Sequence, residues 1–216
     1  MHLVAQLGHS ERDMPTISLT SFLKILTKGT PQKVSEYSKY LTPGGYDFYW
    51  QLKQAAHSLT VGGESFAECA KSINEITRDV ERKHNLDGLK SLSKWLAKNN
   101  IAQCFSPPVG SASSPGKFVT IKLEPEFGAV MDGKRRLIQL WNSKGSNLSR
   151  VVAGVGIYLI QKTICVGDFA DCKGGILDLR KRELYVADAL PTNVEAMIAS
   201  EFAWLDGFFS AHSKAA

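Results

Sequence analysis

Residues 118–141 read FVTIKLEPEFGAVMDGKRRLIQLW, and their pairing can be worked out before any fold is assumed. Asp132-Gly133 is a strong two-residue hairpin turn: Gly takes positive φ without penalty, Asp tolerates it, and alternating apolar residues flank both sides. With those two residues as the loop, Met131 faces Lys134, Phe127 faces Ile138 and Glu126 faces Gln139. The same register puts Glu124 opposite Trp141. Glu124, Glu126, Gln139 and Trp141 then share one face of the hairpin, and Phe127 and Ile138 share the other. Val119, Ile121, Leu123, Pro125 and Phe127 alternate without a break, which reads as one long strand over 118–131, with Pro125 implying an edge position or a bulge.

Working outward, the pattern on the N-terminal side is helical. ISLTSFLKILTK, PQKVSEYSKYL and YDFYWQLKQAAHSL are punctuated by Gly29-Thr30-Pro31 and Thr42-Pro43-Gly44-Gly45. The clearest helix spans 64–84, where Phe66, Ala70, Ile73, Ile76 (or Thr77), Val80 and His84 recur at three- and four-residue steps; a further helix carries Leu89, Leu92, Trp95 and Leu96 and ends by Asn99-Asn100. The aromatic run Tyr46, Phe48, Tyr49 and Trp50 is expected to pack this helical layer, with a base-stacking platform as the sharper alternative. CFSPPVGSASSPGK, residues 104–117, is rich in Ser, Pro and Gly and reads as a linker.

On the C-terminal side, residues 151–164 admit strand by their Val and Ile content, but length and position favour a buried helix. Gly154 and Gly156 lack the third glycine of a dinucleotide loop and read as close-packing sites. A tight turn at Lys181-Arg182 would set Leu179 opposite Leu184 and Arg180 opposite Glu183. Thr192 and Glu195 have capping-box spacing before a last helix. The expectation is an α+β protein: a disordered extension over 1–16, a helical region over 17–102, a linker over 103–117, and a mixed-sheet domain with flanking helices over 118–216.

Composition narrows the function classes. The chain has 216 residues, 44% hydrophobic and 22% charged, a net charge of +5 and a pI near 9.0, which permits contact with nucleic acid or an acidic partner without demanding it. Cys69, Cys104, Cys165 and Cys172 show no zinc-ligand spacing, and no nucleophile elbow, metalloprotease helix or phosphate-binding loop is present. No secretory leader or membrane-spanning run is evident, so a soluble cytoplasmic protein with reduced thiols is expected. Nothing indicates its oligomeric state.

The hairpin and the elements around it, roughly residues 86–188, resemble the core of the PD-(D/E)XK nuclease superfamily, whose usual order is helix, three strands, helix, strand. In that family two acidic residues hold a divalent metal and a lysine orients the attacking water. Position by position, Pro125-Glu126 would stand for PD and Gln139-Leu140-Trp141 for (D/E)XK. Gln139 offers a metal only a neutral carbonyl, and Trp141 neither ligates nor orients water. The expectation is therefore a non-catalytic binding protein on a degenerate nuclease-like scaffold, without a cofactor, contacting nucleic acid or an acidic protein. Lys134, Arg135 and Arg136 at the hairpin tip and Lys181 and Arg182 at the second turn are the candidate contacts. One alternative is an active Mg²⁺-dependent nuclease using Glu124 and Glu126, with Gln139 and with Lys162 replacing the missing lysine. Another is a protein-interaction partner in which the aromatics from Tyr46 to Trp50 are exposed.

Overall fold

The hairpin forms in the register read from the sequence. Strand β5 (Phe127–Met131) pairs antiparallel with β6 (Lys134–Trp141), setting Met131 against Lys134 and Phe127 against Ile138. Asp132 and Gly133 both adopt positive φ, 49° and 71°, as a type I′ turn requires. The computed structural model describes residues 14–42, 44–187 and 191–213. Residues 1–13 of the expected extension lie outside them, and Thr16 already belongs to strand β1 (Thr16–Ser18).

The stretch 118–131 is two strands in two sheets rather than one long strand. Strand β4 (Thr120–Leu123) sits between β1, its parallel neighbour, and the antiparallel β3 (Gly110–Ser113), while β5 belongs to a five-stranded mixed sheet with β2 (Ile101–Phe105). Pro125 cannot donate to a ladder, and the chain changes sheets across Glu124-Pro125-Glu126. The larger sheet has the order β2-β5-β6-β7-β8, with β7 (Lys173–Asp178) parallel to β6 and β8 (Glu183–Val186) antiparallel to β7.

The parallel pair needs a crossover, and residues 151–164 provide it as helix α6 (Arg150–Thr163), started by Ser149, whose side chain accepts from the Val152 amide. The expected close packing is present at Gly156, where a Cβ would run into Ile176 of β7 and Leu23.

Helices cover both faces of the large sheet. On one face, helices α3 (Trp50–Thr60), α4 (Phe66–Asn74) and α5 (Asp79–Lys98) bury Leu52, Ile73, Leu89, Leu92 and Trp95 against Phe127, Ile138, Leu140 and Leu177. On the other, α1 (Leu19–Leu26), α2 (Thr30–Ser38), α6 and α7 (Val194–Ser213) enclose Leu137, Trp141 and Ile176 together with the three-stranded sheet. This is an α+β fold, and the N-terminal helices contribute to both layers.

Several local expectations are corrected. The helix expected over 64–84 breaks after Asn74: Ser65 and Glu68 form a capping box that starts α4, and Arg82 folds back to donate to the Ile76 carbonyl at 2.8 Å. α5 then runs unbroken through Gly88, where a Cβ would lie 2.6 Å from Leu52 and 2.7 Å from Asn142, so the seam of closest approach falls inside a helix. The stretch read as a linker carries the end of β2 and all of β3. Asp206 of α7 ties down its last turn, accepting from the Ser114 hydroxyl and from the Gly116 amide at 2.7 Å. α7 begins at Val194, and Glu195 is spent on the Tyr158 hydroxyl of α6. Among the described residues, no helix is long and apolar enough to cross a membrane.

Candidate functional site

Because β6 and β7 run parallel, their last residues, Trp141 and Asp178, end side by side, and the loops that leave them meet at one edge of the molecule. In open sheets with parallel strands, the carboxyl end is where side chains on outgoing loops converge. The loop after β7 is longer than the expected Lys181-Arg182 turn. Asp178 Oδ1 accepts from the amides of Arg180 at 2.9 Å and Lys181 at 3.2 Å, which holds residues 179–182 as a four-residue loop with Arg182 at φ 55°. The register accordingly moves by two: Leu184 faces Leu177, Glu183 faces Asp178, and Arg180 does not pair with Glu183. Arg180 reaches across instead, donating from Nη1 to the carbonyls of Ser143 at 3.2 Å and Lys144 at 3.0 Å.

Glu126 stands where the chain enters β5, facing Gln139 as the register requires. It is only 5% exposed, and Gln139 Nε2 donates to both its oxygens, at 2.9 and 3.0 Å. The Leu140 amide donates to the same carboxyl at 2.6 Å. That amide lies beyond the last paired residue of β5, so the carboxyl supplies the acceptor that a longer strand would have supplied. Burial dominates the titration of Glu126 and pushes it up to about 8, against the pull of the Leu140 amide and of nearby Lys53.

The remaining nuclease-like candidates do not join it. Glu124 turns outward to Lys122 at 2.7 Å, Trp141 is a core residue at 1% exposure, and Lys162 lies over the Tyr158 ring at 5.6 Å on the side of α6 that meets α7. Only Glu126 and Gln139 are brought together. Among the described residues, no group of three or more His, Cys, Asp or Glu side chains is arranged to hold a metal ion.

The basic turn residues fall at opposite ends of the sheet, because β6 starts at the hairpin tip and ends beside the second turn. At about 3.3 Å per residue, the length of β6 separates the two sets by roughly 23 Å, so they cannot form one patch. Arg135 is not a free tip charge. It pairs with Asp171 at 2.7 Å, donates to the Asp168 carbonyl, and lies over the rings of Phe105 and Phe169. Arg136 is buried to 8% exposure on the face of Ile138, while Lys134 stays exposed at the tip. Lys181 reaches the Leu148 carbonyl and the Tyr185 hydroxyl, and Arg182 beside it is exposed.

Residues far apart in the sequence complete the carboxyl end. Lys24 of α1 lies over the Tyr49 ring at 5.2 Å, and burial lowers its pKa; Asp47, whose field partly offsets this, is itself paired with Lys53 at 2.7 Å. Among the described residues Lys24 has no ion-pair partner. It borders an open cleft of about 480 Å³ shared with the Lys28–Glu36 ion pair, Tyr40, Ser143, Gly145 and Ser146. Arg180 holds the carbonyls of Ser143 and Lys144, so the trans peptides turn the Lys144 and Gly145 amides the opposite way, and neither donates to backbone among the described residues. His57 Nδ1 contacts the Glu126 carbonyl at 3.2 Å, tying α3 to the same edge.

The aromatic run beside this cleft is split. Phe48 and Tyr49 are half-buried, whereas Tyr46 is 64% and Trp50 is 55% exposed, so the expectation that all four pack the helical layer holds only for the middle pair. Lys24, Lys53 and Asp47 carry no motif that would single them out in the sequence; the one available signal is the density of aromatics between Tyr46 and Trp50. In comparisons with known proteins, the chain matches no protein-family model and no curated protein sequence.

Proposed function

We propose that this is a non-catalytic nucleic-acid-binding protein on a scaffold like that of the PD-(D/E)XK nucleases, and that it holds phosphate at the carboxyl end of β6 and β7. The observation that carries the reading is Lys24, a part-buried ammonium without an ion-pair partner among the described residues, beside a cleft of hydroxyl and backbone groups whose one carboxylate, Glu36, is already neutralised by Lys28 and Lys39. Desolvating a charge is unfavourable unless a counter-charge compensates, and a bound phosphate is one that also suits the Ser143, Gly145 and Ser146 donors. Arg180 and Arg182 lie on the adjoining loop and add positive field there.

Glu126 supports the non-catalytic half. Both its oxygens accept from Gln139 and one also takes the Leu140 amide, so a divalent cation would have to displace donors that the strand pairing holds in place.

Binding and cleavage are tested together with end-labelled DNA and RNA oligonucleotides. Wild-type protein is expected to retard them at low salt and to leave them uncut in Mg²⁺ or Mn²⁺. Lys24→Gln should weaken binding while melting at or above the wild-type temperature, since it removes a desolvated ammonium. Cutting that disappears in Glu126→Gln would overturn the non-catalytic reading, and unchanged affinity in Lys24→Gln would remove the proposed phosphate site.

A further inference from the structure

The exposed aromatics lie within reach of the proposed phosphate cleft. Trp50 follows Tyr49, the ring over which Lys24 sits, and Tyr46 is three residues earlier, at most about 11 Å along the chain. Tyr46 is held from two sides: its hydroxyl donates to the buried Glu81, and the Arg78 guanidinium lies 5.0 Å from its ring centre. A ring fixed in this way, with a cation on one face, presents its other face without further loss of side-chain freedom. Trp50 opens α3 and continues along an exposed stripe with Gln54 and His57 that leads toward the Glu126 junction.

This surface suits one class of occupant better than a greasy protein face. Asp47, paired with Lys53, falls between the two exposed rings in the sequence, Arg78 borders Tyr46, and Val80 is the exposed aliphatic residue on the adjacent start of α5, so among the described residues charges interrupt the apolar surface. Aromatic faces interleaved with cations are what unpaired bases and their phosphates require, since stacking tolerates any base and the cations follow the backbone. A duplex keeps its base faces hidden between neighbouring pairs and offers only edges and phosphates.

We infer that Tyr46 and Trp50 form a stacking platform for unpaired bases, so that the ligand is single-stranded nucleic acid whose backbone runs on into the Lys24 cleft. The inference rests on the reading above that this edge binds nucleic acid, and it adds the strand state of the ligand and the residues that read it.

The test compares a labelled 20-nucleotide single strand with its own duplex at one low salt concentration, using wild type, Trp50→Leu and Gln54→Glu. The second variant leaves the packing alone and places a negative charge on the exposed stripe of α3. Wild type is expected to prefer the single strand and to show quenched tryptophan fluorescence on binding it, because Trp95 and Trp141 are buried, Trp204 is half-buried against Tyr37 and Phe208 on α7, and Trp50 is open. Trp50→Leu should lose roughly five- to a hundredfold in single-strand affinity, with most of the quench, and little for the duplex. Gln54→Glu should weaken single-strand binding in the same direction. Equal affinity for strand and duplex, with neither variant altering the single-strand value, would overturn this inference and leave the phosphate site standing. No binding of either form at low salt would overturn both, and self-association abolished by Trp50→Leu would then assign the aromatic face to a second copy of this chain.

Discussion

Burial holds the Glu126 carboxyl near 8 against an ordinary 4.5, so the folded protein binds a proton that the unfolded chain has released between those two values. Protons bound preferentially by the native state make stability fall as pH rises. The penalty begins near pH 4.5 and is complete above about 8. Glu126→Gln keeps an acceptor for the Leu140 amide and removes the titration. Its melting temperature is therefore expected to gain on wild type from pH 5 to about pH 8 and to level off above it, as followed by circular dichroism; a constant difference from pH 5 to pH 8 would contradict the assignment. Arg135 makes a contrasting prediction, because its partners are within the protein. Arg135→Ala removes the Asp171 pair and the guanidinium packed on two rings, which should cost about 1–2 kcal/mol in denaturant unfolding while leaving nucleic-acid affinity nearly unchanged.

Elements were legible where local chemistry leaves one solution. Asp132-Gly133 admits a two-residue turn, so the β5/β6 register and the Glu126–Gln139 meeting follow from it; the run over 151–164 reads as strand by composition and as helix by length and position, and it is the parallel β6/β7 pair, visible only in the structure, that requires the helix. The break between β4 and β5 was not legible: the apolar alternation runs straight through Pro125, since both strands bury the same phase on different sheets. The second turn misled because Asp178 captures two amides and lengthens the loop by two residues. The Ser- and Gly-rich stretch before residue 118 looked unanchored because its anchor, Asp206, comes about ninety residues later. Asp206→Ala should therefore cost about 1–3 kcal/mol and open residues 114–118 to limited proteolysis, where wild type resists. Early cutting of wild type at that turn would show that the anchor does not hold it.

At the scale of the whole molecule, the parallel pair decides which charges act together. Lys24, Arg180 and Arg182 gather where β6 and β7 end, while Lys134 and Lys173 lie at the opposite end of the same strands. The most direct measurement is the salt dependence of oligonucleotide affinity for two double variants. For single strands the log-log slope falls by about 0.7 for each phosphate that is no longer neutralised. Lys24→Gln with Arg182→Gln is expected to flatten the slope by up to about 1.4, whereas Lys134→Gln with Lys173→Gln leaves it within error of wild type. A slope flattened by the hairpin-end pair and untouched by the carboxyl-end pair would place binding at the wrong end of the sheet and contradict the account.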